Sequence, residues 1–217
     1  IGGAYAERIG GVLLQRNPLS RLKMEGINIH GIIGATLFRS FAVEIDYLTQ
    51  NLRLHKDDSF LQEQSYSSHD LKVEVSRPLL ETEATINDST YRLKLMIDTG
   101  FNNKLLIYDP LKVKHRPNRM VRIGRGYSGS VHASEGNIRS LSLANRKMFN
   151  ILTFFPSSKS YKKDEVSMEQ RDGIIGNSLL KQFCIVLDYA GQKMYVQEHL
   201  LNQPELAKEK AGKSSLR

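Results

Sequence analysis

The chain has 217 residues, with a hydrophobic content of 40%, a charged content of 25% and a formal net charge of +8. This composition is that of a globular protein rather than a disordered one, and its scattered positive charges lack any recognition helix, zinc finger or aromatic RNA-binding motif, so we expect no nucleic-acid partner. The single cysteine, Cys184, excludes an internal disulfide, and no apolar run approaches the roughly 18–20 residues of a membrane span.

The first 55 residues have the pattern of the closing part of a β lobe. Alternating and apolar stretches separated by turn residues predict short strands, with one or two helical turns among them. The predicted elements are a strand at 9–15, helical turns at 35–41, a strand at 42–47 and the start of another at 52–55. Residues 56–70 lose the apolar periodicity and predict a polar linker.

From residue 71 the alternation returns and predicts a second, complete β lobe that extends to about residue 200. Leu71, Val73 and Val75 are expected on one face of a strand, and Asn87-Asp88 is expected to form the turn of the hairpin that follows. The second strand of this hairpin leads into Asp98-Thr99-Gly100. The charged tail at 201–217 is expected to be frayed.

One stretch of the sequence occurs twice. Residues 31–47 and 173–189 are identical at eight of seventeen positions, with an offset of 142 residues (173 − 31). This spacing is too long for a solenoid repeat and fits two copies of one lobe. Asp98-Thr99-Gly100 lies between the two copies.

Asp98 follows an apolar strand, so its carboxylate should lie where a partly buried strand becomes a loop. Such a carboxylate needs hydrogen bonds or a partner, because burying it bare costs several kcal/mol. Gly100 allows its own backbone N–H to point at the carboxylate, and the Thr99 hydroxyl can both donate and accept a hydrogen bond. The tripeptide alone fits an ordinary strand-ending turn equally well.

The order of two motifs favours a functional loop over an ordinary turn. Leu95-Met96-Ile97-Asp98-Thr99-Gly100 is followed by Ile174-Ile175-Gly176 and then by a predicted short helix and strand. This combination resembles the pepsin-like and retropepsin-like aspartic peptidases, in particular the bacterial retropepsin-like proteins. The resemblance implies a mainly β fold, with a complete acid-protease β-barrel lobe at 71–200 preceded by the C-terminal part of a homologous lobe. It also implies that Ile174, Ile175 and Gly176 pack beneath the Asp98 loop.

The resemblance implies an aspartic endopeptidase that acts on a peptide or protein substrate. Asp98 would share one proton with a second aspartate, because two adjacent carboxylates cannot both ionise. The ionised member would take a proton from the attacking water while the other protonates the peptide carbonyl. This chemistry requires no metal and no organic cofactor, and the six histidines show no metal-ligand spacing.

The chain departs from the family pattern because it contains one Asp-Thr-Gly. The repeat offset places the partner aspartate upstream of Ile1. Three explanations follow: the partner belongs to a first-lobe segment of a longer chain, a second copy of the chain supplies it, or the protein is a non-catalytic peptide-binding or structural relative. Asp46 and Asp188 end the repeated strands and are interpreted as structural.

The segment Gly126-Tyr127-Ser128-Gly129 is a candidate flap. Its position after the Asp-Thr-Gly loop corresponds to the hairpin that covers the substrate in one-lobe aspartic peptidases. An ordinary hairpin without substrate contact is the alternative. Cys184 is expected to be a small core residue, His30 a turn residue and His132 a solvated one.

Overall fold

The computed structural model describes residues 31–62, 65–108, 119–126, 129–156 and 171–198, and this part of the chain is mainly β, as the sequence predicted. The helical elements described are α1 (Ala35–Ser40), a 3-10 helix (Ser59–Gln62) and α2 (Asn177–Leu180). The strands described are β1 (Ala42–Asp46), β2 (Asn51–His55), β3 (Ser67–Glu74), β4 (Arg77–Ile86), β5 (Ser89–Asp98), β6 (Leu105–Ile107), β7 (Met120–Gly126), β8 (Gly129–Leu143), β9 (Arg146–Pro156), β10 (Gly173–Gly176), β11 (Phe183–Asp188) and β12 (Lys193–Glu198).

Six of the strands close into a barrel. Their order is β4-β5-β10-β6-β9-β8, and a short antiparallel pairing of β4 with β8, Ala84 opposite Leu141, completes the ring. Alternation along β5 turns Leu93, Leu95 and Ile97 into the barrel core. Each such fully buried side chain contributes about 1.5–3 kcal/mol, so the barrel interior is the main source of stability.

The two copies of the repeat pair with each other in the remaining part of the sheet. Its order is β2-β1-β11-β12-β3, and β1 and β11, the strands of the two repeats, are antiparallel neighbours. Glu44 and Val186 occupy equivalent positions of the two copies and also face each other across this pairing. The two repeated strands are therefore related by a local two-fold axis at Glu44 and Val186.

Two stretches differ from the sequence-based expectation. Val75 was expected to share one face of a strand with Leu71 and Val73, but Glu74 pairs with Arg77, which leaves Val75 and Ser76 as a tight turn with φ of 47° and 68°. Val75 is accordingly 83% exposed. The stretch interpreted as a linker contains the 3-10 helix, whose Phe60 is buried, and β3 begins at Ser67.

No helix in the described ranges is both long and apolar enough to cross a membrane.

Candidate active site at the end of β5

Asp98 is the last residue of β5 and is half-buried. The short strand β10 runs parallel to β5 and places Gly176 opposite Asp98 and Ile175 opposite Ile97. The structure therefore brings the two sequence motifs, Asp98-Thr99-Gly100 and Ile174-Ile175-Gly176, side by side. Since β6 flanks the other edge of β10, the Asp98 loop and the second motif form one unit.

The backbone after Asp98 turns back onto its carboxylate. The Gly100 N–H donates to Asp98 Oδ1 at 2.9 Å, and the Phe101 N–H donates to the Asp98 carbonyl at 3.2 Å. A Cβ atom at Gly100 would lie 3.2 Å from Asp98 Oδ1, tighter than most real contacts, so glycine allows the close approach. Thr99 lies half-buried within this turn.

The loop from Phe101 to Lys104 is held from below by β10 and α2. Its backbone carbonyls accept hydrogen bonds from the last residue of β10 and the first two residues of α2. These bonds take the place of hydrogen bonds to water. The bonds are Asn177 N to Phe101 O at 2.7 Å, Gly176 N to Lys104 O at 2.9 Å, Ser178 N to Asn103 O at 3.3 Å and Ser178 Oγ to Asn102 O at 2.5 Å. The loop that follows Asp98 is therefore bonded to β10 and α2 along its whole length.

Gly176 permits this close packing. A Cβ atom there would lie closer than 3.0 Å to the carbonyl oxygens of Phe101 and Asn103, a distance that real Cβ atoms essentially never show. Ile175 points into the barrel core, whereas Ile174 packs on the opposite face with Leu106 and Tyr108. The Ile-Ile-Gly motif thus links the core to the Asp98 loop.

The first repeat also reaches the neighbourhood of Asp98. Burial and, to a smaller extent, the negative charge of Asp98 raise the pKa of the Tyr189 phenol to about 12. The ring of Tyr189 stacks on Phe38 of α1, with centroids 5.2 Å apart and planes at 26°. Sequence reasoning missed both residues as parts of the site. The available signal was the identical tyrosine, Tyr47 or Tyr189, that ends both repeats.

The candidate flap is described only in part. Gly126 and Gly129 pair with each other at the end of the β7–β8 hairpin, whereas Tyr127 and Ser128 lie outside the described residues. His132 is exposed on β8, and His30 lies outside the described residues.

Asp46 and Asp188, which were interpreted from the sequence as structural, accept hydrogen bonds from backbone N–H groups in turns. Asp46 Oδ1 accepts the N–H groups of Leu48 and Thr49, and Asp188 Oδ1 accepts the N–H of Gly191 at 2.8 Å. Both carboxylates therefore stabilise the turns that end β1 and β11.

The single cysteine is not a candidate nucleophile in this environment. Cys184 is buried, and burial together with the nearby charge of Glu44 raises the pKa of its thiol to about 12. A thiol with such a pKa stays protonated at neutral pH. Within the described ranges, no three His, Cys, Asp or Glu side chains come together as a metal-ligand group.

Comparison with known proteins finds similarity among solved structures but not among sequences. No known family and no curated protein matches the sequence. Among solved structures, the chain is similar to a retropepsin-like aspartic protease from Rickettsia conorii, with 16% sequence identity and a TM-score of 0.40. The match covers 62% of this chain and 94% of the Rickettsia conorii chain. The activity in that description belongs to the Rickettsia conorii protein.

Proposed function

We propose that this chain carries one catalytic half of an aspartic endopeptidase, with Asp98 as one member of a carboxylate pair. The observation that carries the proposal is the position of Asp98. Its carboxylate accepts the Gly100 N–H at 2.9 Å, and its backbone lies opposite Gly176 of the parallel neighbouring strand. A strand-ending turn without a function has no need of this support from a second motif 76 residues downstream (174 − 98).

The proposed chemistry needs a second carboxylate beside Asp98. With one proton shared between them, the ionised member takes a proton from water, which then attacks the peptide carbonyl, and the protonated member donates its proton to the carbonyl oxygen. The leaving amine is protonated by the pair in the following step. Thr99 and Gly100 orient Asp98, and Ile174, Ile175 and Gly176 support the loop from below.

The first repeat indicates where the second carboxylate comes from. Ile174 and Ile175 are 8% and 0% exposed between β5 and β6, but their equivalents Ile32 and Ile33 are 78% and 56% exposed. Within the described ranges, the first copy thus has the apolar motif without strands that cover it. We infer that an upstream first-lobe segment covers Ile32 and Ile33 and supplies the partner aspartate.

The local two-fold axis supports the same inference. β1 and β11 already pair as equivalent strands within one chain. In a dimer of second lobes, β11 of one copy would have to pair with β11 of the other. The edge of β11 needed for this pairing is already occupied by β1. In this proposal residues 1–55 end the first lobe, 56–70 connect the lobes, 71–200 form the second lobe and 201–217 follow as a charged tail.

The test is a peptide-library digest by the full-length protein that contains this chain. We expect cleavage by the wild type and a loss of about 100-fold or more in the Asp98→Asn variant, because the amide cannot act as an acid or a base. Asp88→Asn is the matched control, since Asp88 is an exposed carboxylate in the hairpin turn between β4 and β5 and should be replaceable without effect. Equal cleavage by the wild type and Asp98→Asn overturns the proposal. Peptide binding without cleavage would instead identify the protein as a non-catalytic peptide-binding relative.

A further inference from the structure

The side chain of Asn103 connects the Asp98 loop to the β7–β8 hairpin. Asn103 Nδ2 donates to the backbone carbonyl of Ile123 at 3.0 Å, across 20 residues of sequence. Asn103 is half-buried, and it lies five residues after Asp98 in the loop that β10 and α2 support. The hairpin therefore has a direct polar contact with the candidate catalytic loop.

Ile123 is the residue at which β7 departs from a regular pairing with β8. Arg122 pairs with His132 and Gly124 pairs with Val131, so Ile123 is the extra residue of a β-bulge. A bulge leaves its extra residue outside the ladder and bends the strand. The carbonyl of this residue is the acceptor for Asn103, so the bulge provides the group to which the loop is bonded.

The side chain of Ile123 makes a second, apolar contact between the β7–β8 hairpin and the Asp98 loop. Its side chain packs with Phe101 against a small cluster on the outer face of the barrel, formed by the buried residues Leu106, Tyr108 and Ile174. Phe101 belongs to the Asp98 loop and Ile174 to β10. The hairpin thus contacts the loop that follows Asp98 by a hydrogen bond and packs against the cluster that contains Ile174.

The backbone of Asn103 is engaged from the opposite side. Its carbonyl accepts the Ser178 N–H at 3.3 Å, and the neighbouring carbonyl of Lys104 accepts the Gly176 N–H at 2.9 Å. Asn103 is therefore bonded to α2 by its backbone and to β7 by its side chain. A displacement of β7 at Ile123 cannot occur without strain on the loop that carries Asp98.

We propose that Asn103 is a positioning residue that couples the β7–β8 hairpin to the Asp98 loop. A displacement of the hairpin is transmitted through the Ile123 carbonyl to the loop. The loop in turn fixes the position of β7 at Ile123. The effect on cleavage rests on the proposed peptidase function. The coupling itself rests on the contacts of Asn103 and Ile123 alone.

The first experiment measures the coupling without any activity. Amide hydrogen exchange is followed in β7 and in residues 99–104 of the wild type, Asn103→Asp and Asn103→Ala. The aspartate variant keeps the shape but replaces the donor by an acceptor, and the alanine variant removes the donor without adding charge. With one hydrogen bond lost, we expect exchange in both segments to accelerate by roughly 3- to 10-fold.

Asn102→Asp is the matched control, because Asn102 is the exposed neighbour and places the same new charge in the same loop. We expect its exchange pattern to resemble the wild type. Acceleration in only one of the two segments, in neither, or equally in the control overturns the coupling.

The second experiment compares peptide cleavage by the full-length protein and the same variants. A hairpin that is no longer held at its stem should raise KM by roughly 3- to 10-fold in Asn103→Asp and leave the Asn102→Asp value unchanged. If the exchange result is positive but the wild type cleaves no peptide, the coupling stands and the peptidase proposal fails. If the enzyme is active but KM does not change, a role of the coupling in substrate binding is refuted.

Discussion

Gly176 shows how closely the support of Asp98 is packed. It faces Asp98 across the parallel pairing, and its missing side chain leaves space for the carbonyls of Phe101 and Asn103. A methyl group there would meet two backbone oxygens and the Cδ1 atom of the Phe101 ring, all closer than 3.0 Å, and the two backbone atoms cannot move without the loop. The loop itself would have to move, and Asp98 would move with it.

We expect Gly176→Ala to lower the free energy of unfolding by about 1–3 kcal/mol, the range for overpacking a well-packed site. Urea unfolding of the two proteins gives the difference. Gly124→Ala is the control, since Gly124 is a glycine of β7 and nothing lies within 4 Å of its Cβ position. Equal destabilisation by the two substitutions would contradict the packing argument.

At the scale of elements, the pairing of β1 with β11 contains one marked asymmetry. Glu44 is 2% exposed, whereas the equivalent residue of the second copy is Val186. Its carboxylate is ion-paired with Arg53 and hydrogen-bonded to His55 Nε2 at 2.7 Å, both on β2. Cys184 Sγ also contacts it at 3.8 Å. The charge is therefore tolerated because the β1–β2 hairpin provides its partners.

We expect Arg53→Met to destabilise the protein by about 1–3 kcal/mol, less than for a fully buried pair because the Arg53 side chain is 47% exposed. The cost arises from the Glu44 carboxylate, which would stay buried with one fewer partner. Adding Glu44→Val should recover part of the loss, since the charge is then removed and the second copy already has valine at this position. Urea unfolding of both single variants and the double variant completes the cycle.

The exposed pair of Arg92 with Glu81 serves as the comparison. Its side chains are 78% and 49% exposed, so Arg92→Met should change stability by no more than about 1 kcal/mol. If the double variant at Glu44 and Arg53 is less stable than Arg53→Met alone, the buried charge is not the source of the cost.

Local sequence patterns predicted those elements whose formation depends on residues close together in the sequence. The Asn87-Asp88 turn lies between β4 and β5 as expected, and Asn87 has the positive φ of 54° that such a turn requires. The repeat located α1 and β1 in one copy and α2 and β11 in the other. Val75 was misplaced because alternation alone does not show where a strand ends. The register of β3 with β4 decides that, and it is a non-local property.

The polar composition of residues 56–70 hid a structural contact. Phe60 is the buried residue of the 3-10 helix, and it packs with Ala42 and Val186 on one face of the paired repeats, with Tyr195 at an edge-to-face distance of 5.5 Å. A single aromatic residue in a polar stretch gives no periodic signal. The bond from Asn103 to Ile123 was equally invisible, because a side chain that bonds a distant backbone carbonyl leaves no pattern in the sequence.

For the whole molecule, the described residues form a barrel joined to the paired strands of the two repeats. The second copy of the repeat has β5 and β6 beside its Ile174-Ile175 motif, and β3 beside β12. The first copy has β1 and β2, and within the described ranges β2 has no second neighbour. If the two-fold relation of β1 and β11 extends to the whole lobes, a strand equivalent to β3 would pair with β2, and the first-lobe aspartate would face Asp98.

The stoichiometry of inhibitor binding distinguishes this arrangement from a dimer of second lobes. A statine-containing peptide carries a hydroxyl group where the attacking water would be, so one molecule occupies one carboxylate pair. Titration calorimetry of the full-length protein should give one inhibitor per chain, and sedimentation should show a monomer, because both aspartates then belong to one polypeptide. The Asp98→Asn variant should bind the peptide at least about 100-fold more weakly. One inhibitor per two chains, together with a dimer in sedimentation, would show that a second copy supplies the partner aspartate.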